Sequence, residues 1–374
     1  MNKYLTVQEI LDVTGGKLLY GNVEEQCKSF SRNTKEINAG DIYIGFKGER
    51  SDGSKFYEEA FNQGAKGCII NKVEGLEVKK FEGKFIIEVE DTVNAIGKIA
   101  KLKREKYNIP VIAITGSVGK TSTKDVVASV VSEKYKTLKT QGNMNNHIGM
   151  PLTILKLDDE EALVVEMGMN HFGEISKLTN IAKPTVAIIT NVGTAHIGNL
   201  GSRENILKAK LEILEGLAKD GTLIINNDND MLQTVDLPRL NVVRVGKNEG
   251  ASIQASDIEL FEDHSTFIVH YHDQSEKIWV PVQGEHNVFN ALIAIAVGLE
   301  LDISLEDIKK GIQEFELTKN RMDILEKNHK TIIDGTYNAS VDSMKSSIDV
   351  LANYKKRKVA ILADMLELGS YSQQ

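Results

Sequence analysis

Cysteines and long apolar runs are the features most clearly missing from this sequence. Of its 374 residues only Cys27 and Cys68 are cysteines, and they form no C-x-x-C pair and no disulfide framework. Such usage fits a protein of the reducing cytoplasm, and we expect both thiols to be buried as small apolar side chains. No apolar run approaches the length of a membrane span, so we expect no membrane insertion.

A basic excess is missing as well. The formal net charge of −8 and the pI near 5.6 argue against a nucleic-acid partner, because such a partner needs a clustered basic face. An anionic substrate held in a local basic pocket remains compatible with this charge. We expect no signal peptide at the N-terminus, since residues 6–9 read Thr-Val-Gln-Glu, a capping box that opens a short helix. The length suggests two or three domains.

The strongest motif present is a phosphate loop. Residues 111–115 are an apolar, β-branched run, residues 116–119 form a glycine turn, and pairs of valines follow at helical spacing. Such glycines let backbone N–H groups converge, the helix N-terminus adds positive potential, and a lysine reaches the β- and γ-phosphates. Ile114 stands where the usual pattern has its first glycine, so the loop is a shorter version. A structural turn is the alternative to the predicted nucleotide site, which comprises Gly116, Ser117, Val118, Gly119, Lys120, Thr121 and Ser122.

The chain divides into three predicted regions. Residues 1–106 combine short strands and helices, rich in glycine and free of proline. Over residues 107–317 buried strands alternate with helices, which predicts a doubly wound parallel sheet with an antiparallel extension between about 250 and 283. Residues 318–374 hold one β-α-β element whose last strand is predicted at 359–362. One such element is too small to cover a parallel sheet, so we expect an incomplete third domain.

Two polar side chains follow buried strands close to the phosphate loop. Glu166 ends the apolar run 162–165, where a Mg²⁺ ligand belongs in such a sheet; the alternative is a capping or solvated glutamate. The Thr121 hydroxyl is the other expected Mg²⁺ ligand. His196 follows the run 185–190. It is either structural or, because Mg²⁺ prefers oxygen, a ligand of a second and less tightly held ion.

Lys210 is unusual because it shares the apolar face of a predicted helix over residues 203–217. It lies four residues after Ile206 and three before Ile213. Its stem can snorkel to solvent, or its ammonium can pair with Glu166 or another carboxylate. The third interpretation is a desolvated, partly neutral lysine that takes up CO₂ as a carbamate and becomes a metal ligand.

Two segments are rich in amides. The segment 141–146 either forms a turn, since asparagine tolerates left-handed backbone, or supplies uncharged hydrogen-bond groups near phosphate and substrate. Its candidate substrate residues are Asn143, Asn145 and Asn146. Asn287 and Asn290 lie three apart at the start of a predicted helix, a spacing that suits recognition of a base.

Taken in order, these motifs resemble those of the Mur ligase family, ATP-dependent enzymes that form amide bonds in peptidoglycan precursors. The resemblance covers nearly the whole chain and implies a UDP-binding N-terminal α/β domain, a central ATP-binding domain and an incomplete C-terminal α/β domain. Three stretches resemble the branch that adds D-alanyl-D-alanine to UDP-N-acetylmuramoyl-tripeptide. They are residues 142–153, 334–344 and 363–369.

The resemblance also implies a mechanism. The substrate carboxylate would attack the ATP γ-phosphate, and the dipeptide amine would displace phosphate from the acyl phosphate. One Mg²⁺ would lie on Thr121 and Glu166, and a second on His196 and carbamoylated Lys210. The implied catalytic residues are Lys120, Lys210, His196 and Arg321. The implied nucleotide contacts beyond the loop are Asn287, Asn290, Arg321 and Asp334, and the UDP contacts, in 31–32 and 40–50, are Ser31, Arg32 and Lys47.

One departure from the family's pattern concerns the ATP ribose. The family usually has an aspartate directly before Thr336, but here Gly335 holds that position and Asp334 precedes it.

A cytoplasmic monomer is expected. The alternatives are a ligase that adds the third residue, a folylpolyglutamate-type synthetase, and a non-catalytic or weakly active nucleotide-binding form. The stretch 337–339 and the UDP-type first domain argue against the first two.

Overall fold

The computed structural model describes residues 3–49, 51–76, 81–319, 321–355 and 357–373. Arg50, which belongs to the segment 40–50, and Asn320, which precedes Arg321, lie outside these ranges. The described chain is an α/β protein, as predicted. It falls into two compact units, the first comprising Met1–Asn108, Asn143–Asp159 and Asn180–Ala182, the second Ile109–Gly142, Glu160–Thr179 and Lys183–Gln374. No described helix combines the length and apolar character needed to cross a membrane.

Strands and helices alternate along most of the chain. The strands are β1 (Leu5–Thr6), β2 (Lys17–Tyr20), β3 (Gln26–Cys27), β4 (Phe30–Ser31), β5 (Ile42–Ile44), β6 (Gly67–Ile70), β7 (Phe85–Glu88), β8 (Val111–Thr115), β9 (Thr137–Lys139), β10 (Ala162–Glu166), β11 (Val186–Ile189), β12 (Thr222–Asn226), β13 (Asn241–Gly246), β14 (Ile253–Leu260), β15 (Ser265–Tyr271), β16 (Gln274–Val280), β17 (Asp323–Lys327) and β18 (Lys330–Asp334). The helices are α1 (Val7–Thr14), α2 (Tyr57–Asn62), α3 (Thr92–Glu105), α4 (Lys120–Ser132), α5 (Gly149–Ile154), α6 (Glu174–Ala182), α7 (Ile197–Leu200), α8 (Arg203–Leu211), α9 (Asp230–Gln233), α10 (Glu285–Glu300), α11 (Leu305–Glu314) and α12 (Val341–Asn353).

The first unit is built on a five-stranded sheet of order β2-β7-β6-β5-β4. All neighbours are parallel except β2 and β7. The predicted capping box opens α1, because Glu9 N–H donates to Thr6 Oγ1 (3.2 Å) and Thr6 N–H donates to Glu9 Oε2 (2.8 Å). Cys27 and Cys68 are fully buried free thiols, as expected. Burial raises the pKa of Cys27 to about 12, which makes it unreactive.

The second unit is built on a nine-stranded sheet of order β16-β15-β14-β13-β12-β11-β8-β10-β9. Strands β8 to β13 are parallel, and β15 and β16 add the predicted antiparallel extension. Strands β8, β10 and β11 are buried along their whole length, as expected of parallel strands covered on both faces. Each buried Val or Ile side chain stabilises this core by about 1.5–3 kcal/mol.

The predicted strand at 359–362 is wrong. These residues form no strand, and the exposed fractions of Val359, Ile361 and Leu362 are 66%, 94% and 57%. A strand needs a neighbour that exchanges backbone hydrogen bonds with it. Among the described residues β17 and β18 pair with each other in a two-stranded antiparallel sheet, and no strand is available to residues 359–362.

Candidate active site

The strand order of the large sheet brings three loops together. Strand β8 lies between β10 and β11, with Ile114 beside Glu166 and Thr115 beside Ile189. The loops that follow these parallel strands therefore meet at one edge, where ligands bind in open α/β sheets. The phosphate loop, Glu166 and the segment leading to His196 share this edge, as predicted from the sequence.

The phosphate loop is shaped by a close approach to Thr190, the residue that follows β11. A Cβ on Gly116 would lie 1.9 Å from Thr190 Oγ1, so this position accepts only glycine. Ser117 N–H donates to Asn191 O at 3.1 Å. Val118 N–H donates to Asn191 Oδ1 at 3.0 Å. Asn191 thus holds the loop, a role that sequence reasoning missed. The sequence feature that could have identified this role is a polar residue directly after a buried strand.

Lys120 opens α4 and folds back over the loop. Its Nζ donates to Gly116 O at 2.8 Å. Burial lowers its pKa, the nearby Glu166 carboxylate acts in the opposite direction, and the Arg321 cation lowers it further. Glu166 and Arg321 therefore both lie close enough to Lys120 to shift its pKa, although Arg321 is distant in sequence.

Thr121 and Glu166, the predicted Mg²⁺ ligands, are in direct contact. Thr121 Oγ1 donates to Glu166 Oε2 at 3.0 Å, and each residue is 2% exposed. Glu166 N–H donates to Thr140 Oγ1 at 3.1 Å, which fixes the backbone at the end of β10. The interpretation of Glu166 as a solvated side chain is therefore wrong, because its carboxylate is buried beside the phosphate loop.

Lys210 is buried in the second unit. It is 1% exposed on α8, and Ile206 and Ile213 are fully buried beside it. Burial lowers its pKa well below the usual value, and the Lys120 cation lowers it further. Within the described part of the chain no carboxylate pairs with it, so the snorkelling and ion-pair interpretations both fail. Neutralisation is what burial of an unpaired amine favours.

His196 adopts left-handed backbone at the start of α7, with φ 64°. Its Nδ1 lies 2.7 Å from Glu367 Oε2, a charge contact outside hydrogen-bond geometry. Burial lowers its pKa, Glu367 opposes this, and the cations Lys120 and Lys210 reinforce it. The neutral imidazole keeps a lone pair for a metal. In the described ranges no three His, Cys, Asp or Glu side chains form a ready metal site, so any ion there needs other ligands.

A cavity of about 690 Å³ adjoins the phosphate loop, a volume typical of small-molecule sites. Val118, Gly119 and Ser122 line one side, and Asn287, Asn290 and Arg321 line the other. The guanidinium of Arg321 stacks on the Tyr337 ring at 3.7 Å.

The two amides at the cavity wall have partners within the protein. Asn287 Nδ2 donates to Gln283 O at 2.8 Å, and Asn290 Nδ2 donates to Asn287 Oδ1 at 3.1 Å. Thr123 Oγ1 on α4 donates to Asn290 Oδ1 at 2.8 Å. These bonds hold α10 against the helix of the phosphate loop.

The matching family description is the Mur ligase middle domain, over residues 114–298. The UDP-N-acetylmuramoyl-tripeptide–D-alanyl-D-alanine ligase of Bacillus subtilis (strain 168) is 36% identical over 98% of this chain and 80% of its own length. The chain belongs to the Mur ligase family. As a member of this family it is an ATP-dependent ligase that forms a C–N bond.

Solved structures of this family support the same assignment. A crystal structure of MurF from Acinetobacter baumannii matches with a TM-score of 0.88 and 33% identity, covering 99% of this chain and 81% of that one. MurF from Thermotoga maritima, solved in complex with ADP, matches with a TM-score of 0.83 and 30% identity, covering 92% of this chain and 79% of that one. The three-domain Mur ligase architecture predicted from the sequence is therefore confirmed.

Asp334, the predicted ribose contact, is not among the described residues that line this cavity. Asp334 Oδ1 accepts from Thr336 N–H (3.0 Å) and Oγ1 (2.7 Å), which lowers its pKa. Gly335, not Asp334, lines the cavity.

The predicted substrate residues belong to the first unit. Ser31 ends β4, and Lys47 follows β5 by three residues, so both lie at the carboxyl edge of the small sheet. Arg32 and Lys47 are exposed. Asn146 Oδ1 accepts from Ile148 N–H (3.1 Å) and Gly149 N–H (2.8 Å) at the start of α5, and the Asn145 N–H donates to Asn143 O at 2.8 Å.

Proposed function

We propose that this chain joins D-alanyl-D-alanine to UDP-N-acetylmuramoyl-tripeptide at the expense of ATP, as the curated relatives are named to do. The observation that supports this most is the buried Lys210 beside Lys120 at the edge that holds the phosphate loop. No described carboxylate forms an ion pair with this lysine, whereas a ligase that activates a carboxylate would use it, once carbamoylated, as a metal ligand.

The donor set suits Mg²⁺. Thr121 hydroxyl and Glu166 carboxylate oxygens, in contact at 3.0 Å, are the oxygen ligands that this ion prefers. When bound, Mg²⁺ would withdraw negative charge from the phosphate oxygens. His196 and a carbamate on Lys210 would hold a second ion. That carbamate forms when the neutral amine adds to CO₂ and loses one proton, which turns a buried amine into an anionic oxygen ligand.

The chain's own residues supply positioning and charge. The first N–H groups of α4 lack partners inside the helix and point toward the phosphates. Lys120 neutralises the β- and γ-phosphate oxygens. Arg321 neutralises the charge that develops on the transferred γ-phosphoryl group. The substrate carboxylate attacks the γ-phosphorus, ADP leaves, and the amine of the dipeptide then displaces phosphate from the acyl phosphate with loss of a proton.

The other assignments complete the proposal. Adenine would lie against Asn287 and Asn290, and the ribose within reach of Asp334. The uridine diphosphate would bind Ser31, Arg32 and Lys47, since basic side chains suit a diphosphate, with Asn143, Asn145 and Asn146 contributing substrate contacts. Domain boundaries near residues 106 and 317, a monomeric state and cytoplasmic location belong to the same proposal.

The test is phosphate release from ATP with and without each co-substrate. Release that requires both the UDP-tripeptide and D-alanyl-D-alanine, together with formation of the pentapeptide product, is the expected result. Release with a free amino acid in place of the dipeptide would assign the chain to another Mur-type reaction. No co-substrate-dependent release from a protein that still binds ADP would indicate a non-catalytic nucleotide-binding form.

A further inference from the structure

A buried acid that the mechanism has not used fastens the segment leading into Arg321. Asp125 lies on α4 and is 2% exposed. Its Oδ2 accepts two hydrogen bonds from Thr318, from the backbone N–H at 2.9 Å and from Oγ1 at 2.8 Å. Thr318 stands three residues before Arg321. It lies between α11 and the carboxyl-terminal lobe (residues 321–355 and 357–373), which begins with this arginine.

The other oxygen of Asp125 is balanced by cations. Lys124 Nζ lies 3.0 Å from Oδ1 and Lys139 Nζ 3.3 Å from it. Lys124 is itself 1% exposed. The Lys139 side chain is 36% exposed, whereas Lys124 and Asp125 form a buried pair. Removing one partner of such a pair leaves an uncompensated buried charge and is strongly destabilising.

The network continues to the proposed metal ligand. Lys124 Nζ donates to Thr140 O at 3.1 Å, and Thr140 Oγ1 accepts from Glu166 N–H at 3.1 Å. Thr140 is fully buried. A continuous buried polar path thus joins Thr318 to Glu166, and α4 contributes its central members four and five residues after Lys120.

We propose that Asp125 is a positioning residue, which anchors residues 315–319 to α4 and thereby places Arg321 over the triphosphate held by the same helix. The inference deepens the proposed function and rests on it for its catalytic consequence. The anchor itself is a structural claim with a readout that needs no turnover.

The experiment removes one contact and leaves the buried charges intact. Asp125→Ala would leave Lys124 buried without its carboxylate and could prevent folding, so the informative variant is Thr318→Val, which loses only the Oγ1 donor. Thr318→Ser restores that donor. Thr331→Val is the matched control, because Thr331 Oγ1 also donates to a carboxylate, Glu326 Oε1, at 2.5 Å, but in the exposed β17–β18 hairpin.

Hydrogen exchange of peptides covering residues 315–319 is measured together with kcat, the KM for ATP and the affinity for ADP. Thr318→Val should speed exchange in this segment and lower kcat about tenfold with ADP affinity unchanged. Thr318→Ser and Thr331→Val should resemble the wild type. Unchanged exchange in Thr318→Val, unchanged kcat despite faster exchange, or a loss of ADP affinity would each overturn the proposal. A wild type without ligase activity would refute the proposed function instead, and exchange would still decide on the anchor.

Discussion

The central strands of the second unit and its last fifty residues are stabilised in different ways. Strands β8, β10 and β11 are buried throughout. Ten of the fifteen exposed large hydrophobic side chains among the described residues instead lie between residues 321 and 373, including Ile361 at 94% and Leu366 at 79%. The sheet is held by apolar burial, whereas the carboxyl-terminal lobe buries little apolar surface of its own.

Polar contacts attach this lobe to the site edge. Asp342 Oδ2 accepts from Thr194 N–H at 3.1 Å, and Glu367 O accepts from Gly198 N–H at 3.0 Å. At the far end of α12, Gln283 Nε2 donates to the Tyr354 hydroxyl at 2.7 Å. Changes at these contacts should therefore affect catalysis more than they affect the stability of the sheet, and the following variants test that difference.

The largest effect is expected at Lys210, in the buried core of the site. Lys210→Ala should lower kcat by about 1,000-fold, because the proposed carbamate ligand is lost, and a small carboxylate in the buffer should restore part of it. The measurement is phosphate release with both co-substrates present. Thermal unfolding of the variant is the control, since removing an unpaired buried amine should not unfold the unit. Unchanged turnover would refute the role of Lys210.

Arg321 tests the lobe's direct contribution. Arg321→Ala should lower kcat by about 100-fold through loss of charge at the transferred phosphoryl group. Affinity for ADP, which lacks that group, should stay close to that of the wild type. Arg321→Lys keeps the charge but loses the planar stacking on Tyr337, so an intermediate kcat is expected. Equal losses of ADP affinity and kcat would indicate that Arg321 contacts a part of the nucleotide that ADP shares with ATP, and not the γ-phosphoryl group.

Gly193 tests the docking of the lobe on the site edge. A Cβ at this position would lie 2.0 Å from Asp342 Oδ2, so Gly193→Ala should separate α12 from the loop and lower kcat on the order of tenfold. Asp342→Ala should cause a similar loss, and the double variant should be no worse than either single one, because both break one contact. Additive losses would contradict this interpretation. Unfolding midpoints should change little in all three.

The smallest effect is expected at Asp334. Its carboxylate is engaged by Thr336 and lies outside the cavity lining, so Asp334→Ala should raise the KM for ATP about threefold at most. Steady-state kinetics at varied ATP check this. A much larger rise would mean that Asp334 replaces the family's ribose-contacting aspartate fully.

Much of the site could be predicted because its signals are local. The turn 116–119 between a buried strand and a helix, Glu166 at a strand end and Lys210 on an apolar helix face depend only on spacing and residue type. The strand predicted at 359–362 failed because an apolar run does not reveal whether a neighbouring strand exists. Asn191, Asp125 and Asp342 were missed because each acts through a partner distant in sequence.

The sequence by itself therefore determined the phosphate loop, the alternation that produces a parallel sheet and the family to which the chain belongs, since short-range periodicity and glycine placement encode them. Only the tertiary structure decided that Lys210 is buried with no ion-pair partner among the described residues, that Thr121 and Glu166 touch, and that Asp125 holds Thr318. The reason is physical. The desolvation of a charge and the identity of its partner depend on which strands and helices become neighbours. Strand order cannot be predicted from any single segment of the sequence.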